Sequence, residues 1–370
     1  STGPLNQMII IIFCVDTEGF YRENSEKEMI WVRSFIQDQQ GIMWLAGVGL
    51  EKFDGIEGIT FVKGEHANSL LTNNIYTAFL DSKGFIWLGY KGAGASRFDP
   101  RTERFLHFPT DKYLKNATQK NDKSYYANIV NENEANHLPK EQISAFAEDK
   151  QGNIWAGTSD GLYKITHHGE SNYQLNVFEH AVGNDKYVFS MVFDDQQNLW
   201  MGTAEGLFYS KHYASIDEKK KKFKKITLIE NKETSQVVRM SRVHGNKLWL
   251  STMSDGLFQV DLNSLEVSRL FKDQVKWSIA LTYQILPAIN GDIWLATENG
   301  LGYISHKNKE LVFYQFDPEN SNSIKIDAVF IEGDSIEFEF EFYVKKEGIH
   351  TLGITFHLHD ELGSLVFVGS

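Results

Sequence analysis

Cysteine, positive charge and long apolar runs are what this sequence has least of. A single cysteine, Cys14, in 370 residues excludes an intrachain disulfide and a paired-cysteine zinc site, so stability must come from packing. Lys and Arg number 37 against 49 Asp and Glu, a formal net charge of −12, and a field of that sign repels a phosphate backbone. Nucleic acid is not expected as a partner. The basic run Glu218-Lys-Lys-Lys-Lys-Phe-Lys-Lys225 lies between two repeats and reads as a solvated hairpin tip. The apolar run Met8 to Val15 is too short to cross a bilayer and lacks the charged start and small-residue cleavage site of a leader. It reads as a buried strand, and no membrane span is expected in the chain.

What is present is the composition of a folding protein, 42% hydrophobic and 23% charged, rather than that of a disordered tail. Aromatics reach 13%, with 26 Phe and 15 Tyr, which favours strands because flat, bulky side chains pack well on pleated surfaces. An all-β class is the first expectation.

Self-similarity then organises the chain. Six segments align: Asp38-Gln-Gln-Gly-Ile-Met-Trp-Leu-Ala-Gly47, Asp81-Ser-Lys-Gly-Phe-Ile-Trp-Leu-Gly89, Asp149-Lys-Gln-Gly-Asn-Ile-Trp-Ala-Gly-Thr158, Asp194-Asp-Gln-Gln-Asn-Leu-Trp-Met-Gly-Thr203, His244-Gly-Asn-Lys-Leu-Trp-Leu-Ser-Thr252 and Asn290-Gly-Asp-Ile-Trp-Leu-Ala-Thr297. The last two lack the leading Asp. Their tryptophans, Trp44, Trp87, Trp155, Trp200, Trp249 and Trp294, stand 43, 68, 45, 49 and 45 residues apart, and a period near 45 is that of a four-stranded blade. The long interval holds the polar stretch Thr110 to Lys140, which reads as an inserted excursion loop, dispensable for folding.

Each copy has a physical reading. An alternating stretch such as Ile75 to Leu80 makes an inner strand; in Asp81-Ser-Lys-Gly84 the Asp caps amides and the Gly supplies positive φ. Ile86-Trp87-Leu88 forms the second strand, a Gly-containing turn follows, and Gly161 to Ile165 or Gly206 to Tyr209 shows the third strand starting after it. The phrases Phe98 to Phe105 and Phe313 to Pro318 are read as ends of fourth strands. Four strands per repeat, packed radially, close a ring with short edges, a β-propeller of six to seven blades. The repeat tryptophans are expected to fill the gaps between blades.

The string Asp-x-x-Gly-x-Ile/Leu-Trp-x-Gly-Thr-x-x-Gly-Leu, complete at Asp149 to Leu162 and nearly so at Asp194 to Leu207, resembles the two-component regulator propeller repeat. Asn68-Ser-Leu-Leu-Thr-Asn-Asn-Ile75 and Asp317-Pro-Glu-Asn-Ser-Asn-Ser-Ile324 are similar to that family's linker between blades. The likeness runs from about Ile30 to Ile324. The family forms periplasmic sensor regions of hybrid two-component systems that detect glycan breakdown products. The resemblance therefore implies a glycan-sensing propeller, a periplasmic or extracytoplasmic location, and a second propeller or sensor domain as a partner. The family's second propeller, membrane helix and kinase are not in this sequence.

Residues 1–29 are read as an N-terminal segment with a closing strand, 30–324 as the propeller with the loop at 110–140, and 325–370 as C-terminal β-strands. In that last segment Ser335 to Val344 alternates strictly, as a half-buried strand does, and Thr351 to Leu358 and Leu365 to Val368 follow. Phe356-His-Leu-His-Asp-Glu-Leu-Gly363 is similar to the polysaccharide-binding domain of O-antigen ABC exporters, which implies part of a β-sandwich. The alternative is a degenerate seventh blade closed by Met8 to Val15.

No Gly-x-x-x-x-Gly-Lys or His-Glu-x-x-His occurs, and no cofactor, metal or catalytic residue is assigned. His357, His359 and Asp360 read as a solvated strand face. The acidic residues before the repeat's second Gly-Leu, Asp160, Glu205, Asp255 and Glu298, read as turn formers. The glycines are read as turn glycines. Candidate ligand groups come from direction of travel instead: the segments entering the inner strands and the turns after each Trp-x-Gly share one face. Those segments carry Trp31, Arg33, Asn73, Asn74, Tyr76, Gln142, Lys186, Tyr187, Arg239, Lys276 and Trp277. Aromatics stack on sugar faces while Arg, Lys and Asn bond hydroxyls or carboxylates, so the set suits an oligosaccharide. The expected function is non-catalytic glycan binding or sensing; the alternatives are a protein-interaction propeller without a small ligand and a propeller hydrolase or lyase.

Overall fold

Each repeat folds outward from its Asp-led turn. The computed structural model describes residues 7–8, 14–16, 19–23, 29–38, 40, 42–53, 58–64, 66, 68–119, 138, 142–159, 161–167, 173–178, 187–213, 223–230, 237–243, 246–271, 282–287, 292–297, 300–307, 311–314, 331–332, 340–342, 354–359 and 365–369. Asp81 shows the turn: one carboxylate oxygen accepts the amides of Lys83 (3.0 Å) and Phe85 (2.9 Å), the other the indole Nε1 of Trp87 at 2.8 Å. Asp38, Asp149 and Asp194 likewise hold Trp44, Trp155 and Trp200 at 2.8, 2.9 and 2.9 Å. The position three residues after the Asp needs a left-handed backbone, which Gly84 (φ 84°) and Gly152 (φ 78°) supply without a Cβ clash. Gln197 (φ 62°) and Asn246 (φ 60°) adopt it at that position in the next two copies without glycine.

Six antiparallel sheets follow, one per tryptophan, here blades 1 to 6 in chain order. Their inner strands are Met29–Gln37, Ile75–Leu80, Ile143–Glu148, Val188–Phe193, Val237–Val243 and Thr282–Pro287. Blade 2 gives the pattern, with Ile86–Tyr90, Gly94–Asp99 and Arg104–Pro109 as second, third and outer strands. The phrase Phe98 to Phe105 is therefore the turn between third and outer strands rather than the end of a fourth. Lys224 and Lys225, from the basic run, lie exposed on the outer strand Lys224–Ile226 of blade 4, where charge discourages edge pairing. In blade 1 the inner strand is extended: Gly19–Glu23 pairs with its first half, and Cys14–Asp16 pairs with Gly19–Tyr21.

The core lies between blades, not within them. Trp44 packs with Leu70, Ile75, Leu88 and Phe98 of the blade 1–2 junction; Trp87, Trp155, Trp200 and Trp249 occupy the next four junctions. All five are at most 7% exposed, so these rings are structural, as the sequence predicts. The Gly of Trp-x-Gly has a related cause. A Cβ on Gly157 would meet Val188 Cγ1 at 2.9 Å, and one on Gly89 would meet Ile143 Cγ2 at 2.9 Å. These two glycines sit inside second strands and admit the next blade's inner strand, which corrects their reading as turn residues.

The linker phrase after blade 1 is fully used. The Asn68 side chain bonds Glu103 O and Phe105 N of blade 2, Leu70 and Leu71 are buried, and Asn73 O accepts the amide of Gly49. The excursion also differs from its reading as a loop. Asp111–Gln119 is a helix, capped by Thr110, whose Oγ1 accepts the Tyr113 amide at 3.1 Å. Tyr113 packs on the blade 1–2 core and donates its hydroxyl to Leu71 O. At the far end Leu138 is buried in the blade 2–3 junction and its amide donates to Pro109 O.

Beyond blade 6, Ile331–Glu332 pairs with Gln7–Met8. Phe340–Phe342, Ile354–His359 and Leu365–Gly369 form a three-stranded antiparallel sheet. Among the described residues that sheet pairs only within itself; the rest of the expected Ser335 to Val344 strand lies outside them.

Candidate functional site

The start of each inner strand pairs with the end of the second strand, as Ile75 does with Tyr90. Both therefore lie on one face, called upper here. Just inside that face every inner strand has the same irregularity, a register shift that leaves one residue unpaired: between Val32 and Ser34, Ile75 and Thr77, Ile143 and Ala145, Val188 and Ser190, Val237 and Arg239, and Thr282 and Gln284. A β-bulge of this kind re-aims the extra side chain. The six bulge residues are Arg33, Tyr76, Ser144, Phe189, Val238 and Tyr283.

Two pairs of candidates meet across blade junctions. The Arg33 guanidinium stands over the Tyr76 ring, 5.0 Å from its centroid, joining blades 1 and 2. Gln142 Nε2 donates to Tyr187 Oη at 2.5 Å, joining blades 3 and 4. The Tyr187 ring lies 4.4 Å from that of Phe189, a bulge residue that composition and spacing did not single out. All five side chains are half-buried. Asn73 is committed to structure, its Oδ1 accepting the Lys63 amide. Asn74 is exposed, and its amide nitrogen donates to Thr72 Oγ1.

Trp31 stands ahead of the bulge, opposite Tyr21, and Arg239 stands opposite Ser251; their side chains, like the whole of Lys186, Lys276 and Trp277, lie outside the described residues. Of the acidic turn residues, Asp255 is buried, with its amide on Thr252 Oγ1 and its carbonyl bonded by Arg269 Nε. The Glu205 amide caps on Thr203 Oγ1 in the same way. These are turn-forming roles. Asp160 and Glu298 lie outside the described residues, and so does the Asp360 of the His357, His359 group. No cluster of three or more His, Cys, Asp or Glu suited to a metal occurs among the described residues.

The opposite face carries a depression of ≈ 450 Å³ between the hairpin tips of blades 2 to 4. Its polar groups are tied to one another. Glu148 accepts both the amide and the hydroxyl of Ser82 at 2.7 Å, and Lys150 gives its amide to Gln197 Oε1 and its ammonium to Asp195 O. These bonds join neighbouring blades. A serine beside a histidine does occur, Ser96 Oγ to His107 Nδ1 at 2.7 Å, but both residues are buried in blade 2, out of reach of a substrate.

Fold and repeat together define the class, a β-propeller. Residues 137–160 match the two component regulator propeller family. No curated protein sequence matches the chain. Two similar solved structures are extracellular domains assigned to hybrid two component systems of B. thetaiotaomicron. BT4673 has 16% identity and a TM-score of 0.59 over 90% of this chain and 40% of its own. BT3049 has 18% and 0.59 over 87% and 38%. The chain thus spans about two fifths of the length of these structures. A catalytically inactive virginiamycin B lyase from Staphylococcus aureus, with quinupristin, has 12% identity and a TM-score of 0.55 over 84% of this chain and 88% of its own.

Proposed function

We propose that the chain is a non-catalytic sensing module, extracytoplasmic, that binds an oligosaccharide on the upper face of the ring. The observation that carries the reading is the pairing at the blade 1–2 mouth, an aromatic face and a guanidinium held together at 5.0 Å. Rings stack on the apolar faces of sugars, and planar donors bond their oxygens. The repeat match at residues 137–160 and the extracellular two component domains with the same fold support the sensing part. A second propeller or sensor domain is the natural partner to receive the signal. Binding without chemistry is favoured because the repeat aspartates 38, 81, 149 and 194 are already engaged by amides and indoles.

Calorimetry against a panel of oligosaccharides tests the reading, with mass analysis of the sugar afterwards. Saturable binding of about micromolar affinity or weaker, with the sugar intact, is expected. Cleaved product makes the protein an enzyme of the lyase or hydrolase kind. A second reading rests on Val48 and Met253, 54% and 55% exposed in upper-face turns of blades 1 and 5. Heat from a partner protein and none from any sugar would transfer the function to protein interaction.

A further inference from the structure

Resting on that reading, we propose that the upper-face site takes an acidic sugar, a uronate-containing oligosaccharide, and that Arg33 pairs with its carboxylate. Arg33 is half-buried, and the face of Tyr76 is the one ring, hydrogen-bond or ion-pair contact of its side chain among the described residues. It has neither a carboxylate nor a carbonyl partner among them. Arg97, also half-buried, contrasts with it: that guanidinium donates to Tyr173 Oη while stacking on Phe85 at 4.1 Å.

A guanidinium stays charged under all ordinary conditions, and taking it partly out of water without an anion is costly. Stacking recovers part of that cost but leaves the N–H edge, with its fork geometry, open to a planar two-oxygen acceptor. Placement adds to the argument. Arg33 occupies a bulge that turns its side chain out of the strand's regular alternation, at the face where the inner strands begin. The hydroxyl of Tyr76 and, two residues before it on the same face, the exposed carboxamide of Asn74 also have no partner among the described residues. A ligand complementary to all three offers one carboxylate, several hydroxyls and an apolar ring face, which is the chemistry of a uronate.

The test compares galacturonate, glucuronate and mannuronate oligosaccharides with the same chains after carboxyl reduction, which removes the charge and keeps the sugar. The wild-type protein is expected to bind at least one uronate chain about tenfold or more tighter than its reduced form. Arg33→Gln should abolish that preference, weakening the acidic chain far more than the reduced one; Arg33→Lys should restore part of it. Raising the salt should weaken the acidic ligand alone. Equal affinity for acidic and reduced chains, or an equal loss of both in Arg33→Gln, overturns the proposal and leaves oligosaccharide binding standing. Binding of neutral sugars with no uronate bound does the same. Silence towards every sugar sinks both readings together.

Discussion

At the residue scale the repeat is a device for holding an indole. Asp149 accepts the amides of Gln151 and Asn153 and the Nε1 of Trp155, so one carboxylate fixes the turn and orients the ring that fills the next junction. Trp155 is fully buried, its ring centroid 5.9 and 5.1 Å from those of Phe193 and Tyr213. Trp155→Ala is expected to lower stability by about 3–5 kcal/mol through the cavity it leaves, measured by denaturant unfolding. Much of this was legible, because Asp and Gly at fixed offsets announce a turn. The indole bond was not, since a spacing of six residues shows no contact until the hairpin is built. Its absence is visible where the Asp is missing: Trp249 Nε1 is buried without a partner among the described residues, and Val243 stands six residues before it, opposite Lys247. Val243→Asp should supply the missing acceptor and raise stability by about 1 kcal/mol. An unchanged or lower unfolding midpoint would show that this turn cannot take the repeat geometry.

At the scale of elements, alternation made the inner strands readable and the repeated Trp fixed the second strands. The helix Asp111–Gln119 escaped notice because its Lys, Asn and Thr content looks like a loop. Its cues were a capping Thr110, Asp111 in the first turn, and an apolar edge at Tyr113 and Leu114. Leu138 gave no cue at all, being one apolar residue in a polar stretch. Replacing residues 121–136 by a short Gly-Ser segment should leave the melting temperature nearly unchanged. Leu138→Ala should cost about 2–4 kcal/mol, because its side chain belongs to the blade 2–3 core. Equal tolerance of both changes would return the whole excursion to the status of a loop. The turn between third and outer strands supplies a pH dependence. Asp261 is bonded by Lys247 and by the amides of Asn263 and Ser264, which hold its carboxyl well below the usual carboxylate range. A carboxyl depressed on folding contributes stability that is present above its unfolded pKa and is lost as pH falls through the folded one. Asp261→Asn should therefore flatten the acid side of the stability curve and change little in strong acid, as followed by thermal unfolding from pH 7 down to pH 2.

At the scale of the molecule, the period near 45 gave the blades, but a ligand site on a ring is built from residues far apart in sequence. Direction of travel put Arg33, Tyr76, Gln142 and Tyr187 on one face; it could not show which of them touch. The recurring bulge carries Arg33 and Tyr76, while Gln142 and Tyr187 stand just ahead of it, and its sequence trace is a β-branched residue, Val, Ile or Thr in all six blades, followed by the extra one, as in Val32-Arg33 or Ile75-Tyr76. Because the core lies in the junctions, a ligand bridging blades 1 and 2 stabilises a junction and not one sheet. A bound oligosaccharide at about 100 times its Kd should add about 2.7 kcal/mol to the folded state. In a chain of 370 residues each kcal/mol is worth about 1–2 °C, so the melting temperature should rise by about 3–4 °C. Arg33→Gln should reduce that shift for an acidic ligand. A ligand that binds by calorimetry yet leaves the unfolding temperature unchanged would have to bind the unfolded chain equally well, and the upper-face site would then lose its claim to it.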